Sequence, residues 1–150
     1  MKNTCLVALA ALLLSTACRK ETTPGEGKLF RFTDTLLVNG MKRSYVLNLP
    51  TGYYTSGGFS LVIAMHGGGG SATQFESSSK LTEKANSAGF VVVYPEGTGA
   101  INTWNAGNCC GSAVNNKIDD VQFISRLIDH LLANYSIDPK KVYATGHSRC

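Results

Sequence analysis

Residues 142 to 150 read VYATGHSRC, a run of apolar and β-branched residues that climbs into Gly146-His147-Ser148 as a strand enters a sharp turn. Working back from it, Asp138-Pro139 ends a helix in which Val121, Ile124, Leu127, Ile128, Leu131 and Leu132 recur on one face, and the strand itself is expected over 141–146. Further upstream, GFVVVYPEG (89–97) and FSLVIAMHG (59–67) are nearly continuous apolar runs ending in glycine, the pattern of strands buried on both faces of a parallel sheet. A helix from about Phe75 to Ala88 connects these two strands. Before them, LFRFTDTLLV (29–38) and RSYVLNLP (43–50) flank Asn39-Gly40, a hairpin turn signal. The expected fold class is α/β: an antiparallel hairpin, then parallel strands joined by right-handed crossover helices. In such a sheet the functional loops gather at the carboxyl ends of the strands, where HGGGGS, PEGTGAINTWNAGNCCG and GHSRC begin.

The chain has 150 residues, 43% of them hydrophobic, which suits one globular domain and is too short for two. Its formal net charge of +4 has no basic block behind it, so nucleic acid is not an expected partner. Lys2, the apolar run Leu6 to Leu14 and Ser15-Thr16-Ala17-Cys18 read as an export signal, and the run is too short to span a bilayer. Polar RKETTPGEG (19–27) suits a tether. The division expected is a leader at 1–17, a tether at 18–27 and a folded domain from Lys28 onward. Of five cysteines, Cys5 lies in the leader, while Cys109, Cys110 and Cys150 remain for an oxidising compartment.

A serine hydroxyl is a poor nucleophile until a base takes its proton and donors hold the oxyanion. The elbow Gly-x-Ser-x-Gly lifts a serine oxygen clear of a sheet, and Gly146, His147, Ser148 and Arg149 fill its first four positions, with Cys150 in the fifth. Alone, Gly-x-Ser is also what a plain turn serine looks like. Its companion is His66-Gly67-Gly68-Gly69-Gly70, whose glycine amides can point at a developing negative charge. A flexible turn is the other reading of that run; a phosphate loop is disfavoured because no Gly-Lys-Ser/Thr follows.

Taken in order, HGGGGSA, YPEGTG, TWNAGNCCG, the IDDVQFI run and VYATGHS resemble the secreted polyhydroxybutyrate depolymerase and feruloyl esterase-like family of α/β-hydrolases, over roughly residues 40 to 148. The chain would then be the N-terminal part of an α/β-hydrolase sheet. The resemblance implies carboxylic ester hydrolysis through an acyl-enzyme, with Ser148 as nucleophile and the backbone N–H groups of Arg149 and of Gly68 or Gly69 as oxyanion hole. Feruloyl or acetyl groups on plant polysaccharides, or polyhydroxyalkanoate esters, are the implied substrates. LSTAC similarly resembles a bacterial lipoprotein processing site, which implies lipidation of Cys18 and contact with a membrane only through that anchor, on the cell envelope; ordinary secretion is the alternative. His66, Trp104 and Asn105 are candidates for the substrate cleft, and a loop packed by its own aromatic is the equal reading of Trp104 and Asn105.

The triad order of these hydrolases is Ser, then Asp or Glu, then His. None of the three histidines is expected as the base. His147 adjoins Ser148 and leaves the elbow in another direction, His66 braces the glycine loop, and His130 sits late in a helix with a surface role. Asp119 and Asp120 precede the serine and open a helix, where carboxylates complement the dipole. Adjacent Cys109 and Cys110 without a second pair do not make a zinc site, and no motif calls for a metal or cofactor. They are disulfide candidates with Cys150, or with a cysteine further along a full-length relative. The expectation is an exported esterase seen as an N-terminal fragment that lacks the triad Asp and His and is inactive alone. The departure from Gly at Cys150 points to a frameshift, a premature stop or an incomplete gene model. A surface-anchored, non-catalytic polysaccharide- or ester-binding lipoprotein is the alternative, and a decayed product the third.

Overall fold

The computed structural model of the chain describes residues 28–107 and 111–147. Cys5, Cys18, Cys109, Cys110, Ser148, Arg149 and Cys150 therefore lie outside the described residues, as do the leader and the tether.

Strands β1 (Arg31–Val38) and β2 (Met41–Asn48) pair antiparallel from end to end. The turn between them has positive φ at both Asn39 (51°) and Gly40 (78°), the twist that matches paired strands, so the Asn-Gly signal meant what it implied. Strands β3 (Phe59–Met65), β4 (Phe90–Pro95) and β5 (Ile137–Gly146) complete a sheet of order β1-β2-β4-β3-β5. β3 runs parallel to both β4 and β5, and β2 joins β4 antiparallel. This is the hairpin followed by parallel strands that the pattern predicts.

Alternation along the strands divides the core into two layers. Tyr45 and Leu47 of β2, Leu61 and Ile63 of β3, and Val91 and Val93 of β4 pack with Phe123, Leu127 and Leu131 of a long helix, Asp120–Asn134. Val46, Ala64, Val92 and Tyr94 turn the other way, toward Ala72 of α1 (Ala72–Ser79) and Ala85 of α2 (Leu81–Ala88). Each large apolar side chain fully buried in these layers contributes roughly 1.5–3 kcal/mol. A short helix α3 (Gly111–Asn115) lies in the connection from β4 to the long helix, which is α4.

Three local expectations are corrected. The helix expected from Phe75 to Ala88 is two helices, broken at Lys80, which adopts a left-handed φ of 59°. Its cause is the run Ser77-Ser78-Ser79, whose hydroxyls compete for backbone groups; Ser77 Oγ donates to Thr73 O and Ser79 Oγ accepts from Leu81 N. Val121, placed on the inner face of α4 by its spacing, is 80% exposed, and Phe123 is buried in its stead. The helix is rotated so that Asp120 points inward. Finally, β5 begins at Ile137, not 141, and contains Pro139. The ladder with β3 jumps there, Phe59 facing Ile137 and Leu61 facing Val142, so Pro139 sits in an irregularity where it lacks no ladder bond.

Asp120 faces Arg43, the inward-pointing residue two before Tyr45, across 2.6 Å with both side chains buried. Its second oxygen accepts from Asn105 N at 2.7 Å. The guanidinium also donates to Glu96 O at 3.2 Å and lies 4.0 Å from the Phe123 ring centre. At the opposite side of the sheet, Arg31 and Asn48 both donate to Glu76 of α1. Burial raises the Glu76 carboxyl, but the hydrogen bonds from Arg31 and Asn48 and the charge of Arg31 together hold it below its usual range.

Removing the acid of the buried pair leaves Arg43 charged and unpaired, so Asp120→Ala is expected to lower the unfolding free energy by about 3–5 kcal/mol in denaturant titration; a change under about 1 kcal/mol contradicts the pairing. For Glu76, a lowered folded pKa means stabilisation that is present above the unfolded value, about 4.3, and lost as pH falls through the folded one. Thermal melts of wild type and Glu76→Gln should therefore differ at neutral pH and converge in acid; a gap that widens below about pH 4 contradicts the assignment.

Candidate active site

The loops after β3, β4 and β5 meet at one edge of the sheet. β5 stays in register with β3 to its end, where Gly146 faces Met65, and one further bond runs from His147 N to Met65 O at 3.1 Å. Gly146 is required there, since a Cβ would stand 2.9 Å from the Met65 carbonyl oxygen. The strand thus carries its glycine against β3 and delivers His147 beside the glycine loop. A cleft of about 380 Å³ lies between them, lined by His66, Gly67 to Gly70, Gln74, Phe75, Ser78 and His147.

The glycine loop is held in a defined shape. Gly70 N donates to Gly67 O at 3.0 Å, closing a β-turn in which Gly69, with φ of 80°, takes the position that a side chain disfavours. His66 is 3% exposed and spans the loop's base. Its Nε2 accepts from Gly97 N at 3.0 Å, which leaves the proton on Nδ1 to be donated to Gly67 O at 2.7 Å. Both ring nitrogens are thereby committed to backbone groups. Gly69 N donates to Asn102 O at 3.1 Å. Among the described residues the Gly68 amide meets no acceptor, so of the two glycines considered for an oxyanion hole, Gly68 has its N–H to offer and Gly69 does not.

The loop after β4 forms the wall behind. Thr98 and Thr103 pair in both directions, making a two-rung hairpin whose tip holds Gly99 (φ 86°) and Asn102 (φ 32°). Asn102 Nδ2 donates to Gly70 O at 3.1 Å and to Glu96 Oε1 at 2.7 Å. Glu96 Oε2 accepts from Ala72 N at 3.0 Å, the first amide of α1 and a favourable place for a carboxylate. Trp104 donates from Nε1 to His66 O at 2.9 Å, with its ring 5.0 Å from the imidazole. Asn105 donates from Nδ2 to Ile118 O at 2.8 Å and from N to Asp120. The described hydrogen bonds of Trp104 and Asn105 run to His66 O, Ile118 O and Asp120.

Elsewhere, Asp119 caps α4 by accepting from Gln122 N at 2.9 Å, whereas Asp120 does more than complement a dipole, because it carries the buried ion pair. His130 is half-buried on α4, its Nδ1 3.4 Å from Asn134 Nδ2, far in sequence and contact from the loops. Arg43, Glu96 and Asn102 escaped the sequence reading. Arg43 gave a signal: a charged residue on the same strand face as Tyr45 and Leu47 needs a buried partner. Glu96, the first residue past a buried strand, gave a weaker one, and Asn102 none beyond its tolerance of left-handed turns.

A family model described as Esterase PHB depolymerase matches residues 43–150. The feruloyl esterase B of Piromyces equi is 34% identical over 108 residues, covering 71% of this chain and 19% of that protein. Among solved structures, an S-formylglutathione hydrolase from Agrobacterium tumefaciens superposes with a TM-score of 0.64 at 11% identity, over 81% of this chain and 51% of that one. An acetyl xylan esterase from Aspergillus awamori gives 0.62 at 18%, over 77% and 42%. The chain spans about half or less of the length of these relatives, and the structural likenesses at such identities establish the shared fold. The family match takes in more than two thirds of the sequence, from the start of β2 through the loops after β3, β4 and β5, and the chain accordingly belongs to the esterase PHB depolymerase family, with an α/β-hydrolase sheet.

Proposed function

We propose that this chain is the nucleophile-bearing part of an exported serine esterase that hydrolyses carboxylic esters through an acyl-enzyme. The observation that carries the reading is the cleft shared by the glycine loop and His147. His147 immediately precedes Ser148 in the sequence, which supports Ser148 as the nucleophile that serves this cleft.

In this reading the Ser148 oxygen attacks the ester carbonyl carbon while its proton passes to a general base. The resulting oxyanion accepts hydrogen bonds from the N–H groups of Gly68 and Arg149. Collapse of the tetrahedral intermediate breaks the bond to the alcohol, which leaves with the proton from the base. Water, activated by the same base, then releases the carboxylic acid and restores the serine. In the order Ser, acid, His, the base and its acidic partner would come after Ser148 in the full-length protein. Of the three described histidines, His66 has both ring nitrogens committed to backbone groups, His130 is remote, and His147, which lines the cleft, precedes the serine and so stands outside that order.

Feruloyl and acetyl esters of plant polysaccharide, or polyhydroxyalkanoate, are the proposed substrates, supported by the names of the relatives, among them the feruloyl esterase B and a bifunctional acetylxylan esterase/xylanase from Neocallimastix patriciarum. The half-buried Phe75 ring on the cleft wall gives an acyl group an apolar surface. The leader at 1–17 extends the proposal to an envelope protein anchored through Cys18; a Cys18→Ser variant that still fractionates with membrane counts against the anchor.

The test uses the protein encoded by the full open reading frame, assayed with p-nitrophenyl acetate and methyl ferulate. Ser148→Ala is expected to reduce kcat by at least about 10⁴-fold with the fold retained. Turnover that survives the substitution, or polysaccharide binding without any turnover by the wild type, overturns the esterase reading.

A further inference from the structure

Four glycines in a row are the most mobile chain a protein can place at a catalytic surface, because each loses more backbone freedom on ordering than any other residue. An oxyanion donor must nevertheless be set to within a few tenths of an ångström before the charge develops. What fixes this loop is therefore a functional question, and two side chains answer it.

Glu96 and Asn102 together reach three points of the segment 69–72. The Glu96 carboxylate accepts from Ala72 N at 3.0 Å and from Asn102 Nδ2 at 2.7 Å. Asn102 passes the connection on, donating from Nδ2 to Gly70 O at 3.1 Å and accepting at its backbone carbonyl from Gly69 N at 3.1 Å. On the other side of Gly68, His66 holds Gly67 O. Gly68 is left with its amide unspent among the described residues and with both neighbours tied.

A role for Glu96 as a plain helix cap explains less. α1 already has a cap in Ser71, whose Oγ accepts from Gln74 N at 3.1 Å. Capping also gives no reason for the second oxygen to meet Asn102, or for Asn102 to hold a φ of 32°, a conformation that costs a non-glycine residue energy. The 3.7 Å between Glu96 Oε1 and His66 Nε2 is no hydrogen bond, since that nitrogen accepts from Gly97 N.

We propose that Glu96 and Asn102 are positioning residues for the oxyanion amide, a carboxylate–carboxamide relay that sets the Gly68 N–H by tethering Gly69, Gly70 and Ala72 without touching substrate. The inference rests on the esterase reading above for its kinetic consequence and on the hydrogen bonds alone for its structural one.

The chemistry of the relay gives a directional test in the full-length protein. Glu96→Gln replaces one acceptor by a donor, so either Ala72 N–H or Asn102 Nδ2 faces an amino group. Asn102→Asp sets a carboxylate against Glu96 and against the Gly70 carbonyl. Each single variant is expected to lose about 10- to 100-fold in kcat on p-nitrophenyl acetate, with KM within about twofold, because a misplaced donor acts on the transition state. In the double variant Glu96→Gln/Asn102→Asp, the new carboxamide at position 96 can accept from Ala72 N and donate to the new carboxylate at position 102, so kcat should rise above that of Asn102→Asp. Amide hydrogen exchange at Gly69 and Gly70 should quicken in the single variants while the β-strand amides keep their rates.

Unchanged exchange at Gly69 and Gly70 overturns the relay whatever the activity, and so does a double variant no better than Asn102→Asp. Faster exchange throughout the sheet overturns it too, as general loosening. A wild type without esterase activity removes the esterase reading, and the exchange rates still decide whether the pair holds the loop.

Discussion

The ion pair between Arg43 and Asp120 is the constraint on which the loop side of this molecule depends. A guanidinium and a carboxylate taken out of water each cost several kcal/mol, and the cost is offset only where the remaining donors and acceptors are also met. Here Asp120 receives Arg43 on one oxygen and Asn105 N on the other, and Arg43 reaches Glu96 O while its plane lies against Phe123. Those partners belong to the start of β2, the first turn of α4, and both ends of the loop that leaves β4. One buried contact therefore pins the loop where it begins, at Glu96, and where it turns back, at Asn105. Arg43 Nε has no acceptor among the described residues, so the pair is incompletely satisfied, and its geometry is maintained by the packing around it.

Between those two pins the chain can only form a short excursion, and the Thr98–Thr103 hairpin is that excursion. Its tip carries Asn102 over the glycine turn, and its root carries the Glu96 carboxylate to the first amide of α1. Trp104 adds a third contact from the same loop, through the His66 carbonyl. Order thus passes from a buried charge pair to a hairpin, and from the hairpin to a run of glycines that could not order itself. The direction matters. Glycine supplies close approach and positive φ at the cleft, and the rigidity comes from polar groups two layers behind it.

Much of this was legible in the sequence because it rests on strong local signals. Continuous apolar runs at 59–65 and 90–95 could be only buried strands or buried helix, and their flanking glycines and length decided for strands. Asn39-Gly40 specified its turn outright. The helix over 120–134 was legible in extent and in most of its face, since Ile124, Leu127, Ile128, Leu131 and Leu132 pack on the core as their spacing implied. Its first turn was not: Val121 is exposed, and Phe123 and Asp120 are buried, Asp120 against Arg43, 77 residues away in the chain. Asp138-Pro139 was read as the end of the preceding helix, whereas α4 already ends at Asn134 and Pro139 lies inside β5, at the β3–β5 irregularity where a missing ladder donor is tolerated. The glycine loop and its histidine were visible as a motif, yet Glu96 and Asn102 were not. Their importance lies in which backbone atoms they meet, a property of the folded loops and not of any spacing in the sequence.

The most direct measurement is a crystal structure of the full-length protein after reaction with an alkyl phosphonate ester, whose tetrahedral adduct imitates the intermediate of ester hydrolysis. The account predicts phosphorus bonded to the Ser148 oxygen, with one phosphoryl oxygen about 2.7–3.1 Å from the Gly68 nitrogen and the Glu96–Asn102–Gly70 bonds intact. An adduct on another residue, or a phosphoryl oxygen that turns away from the glycine loop, contradicts it.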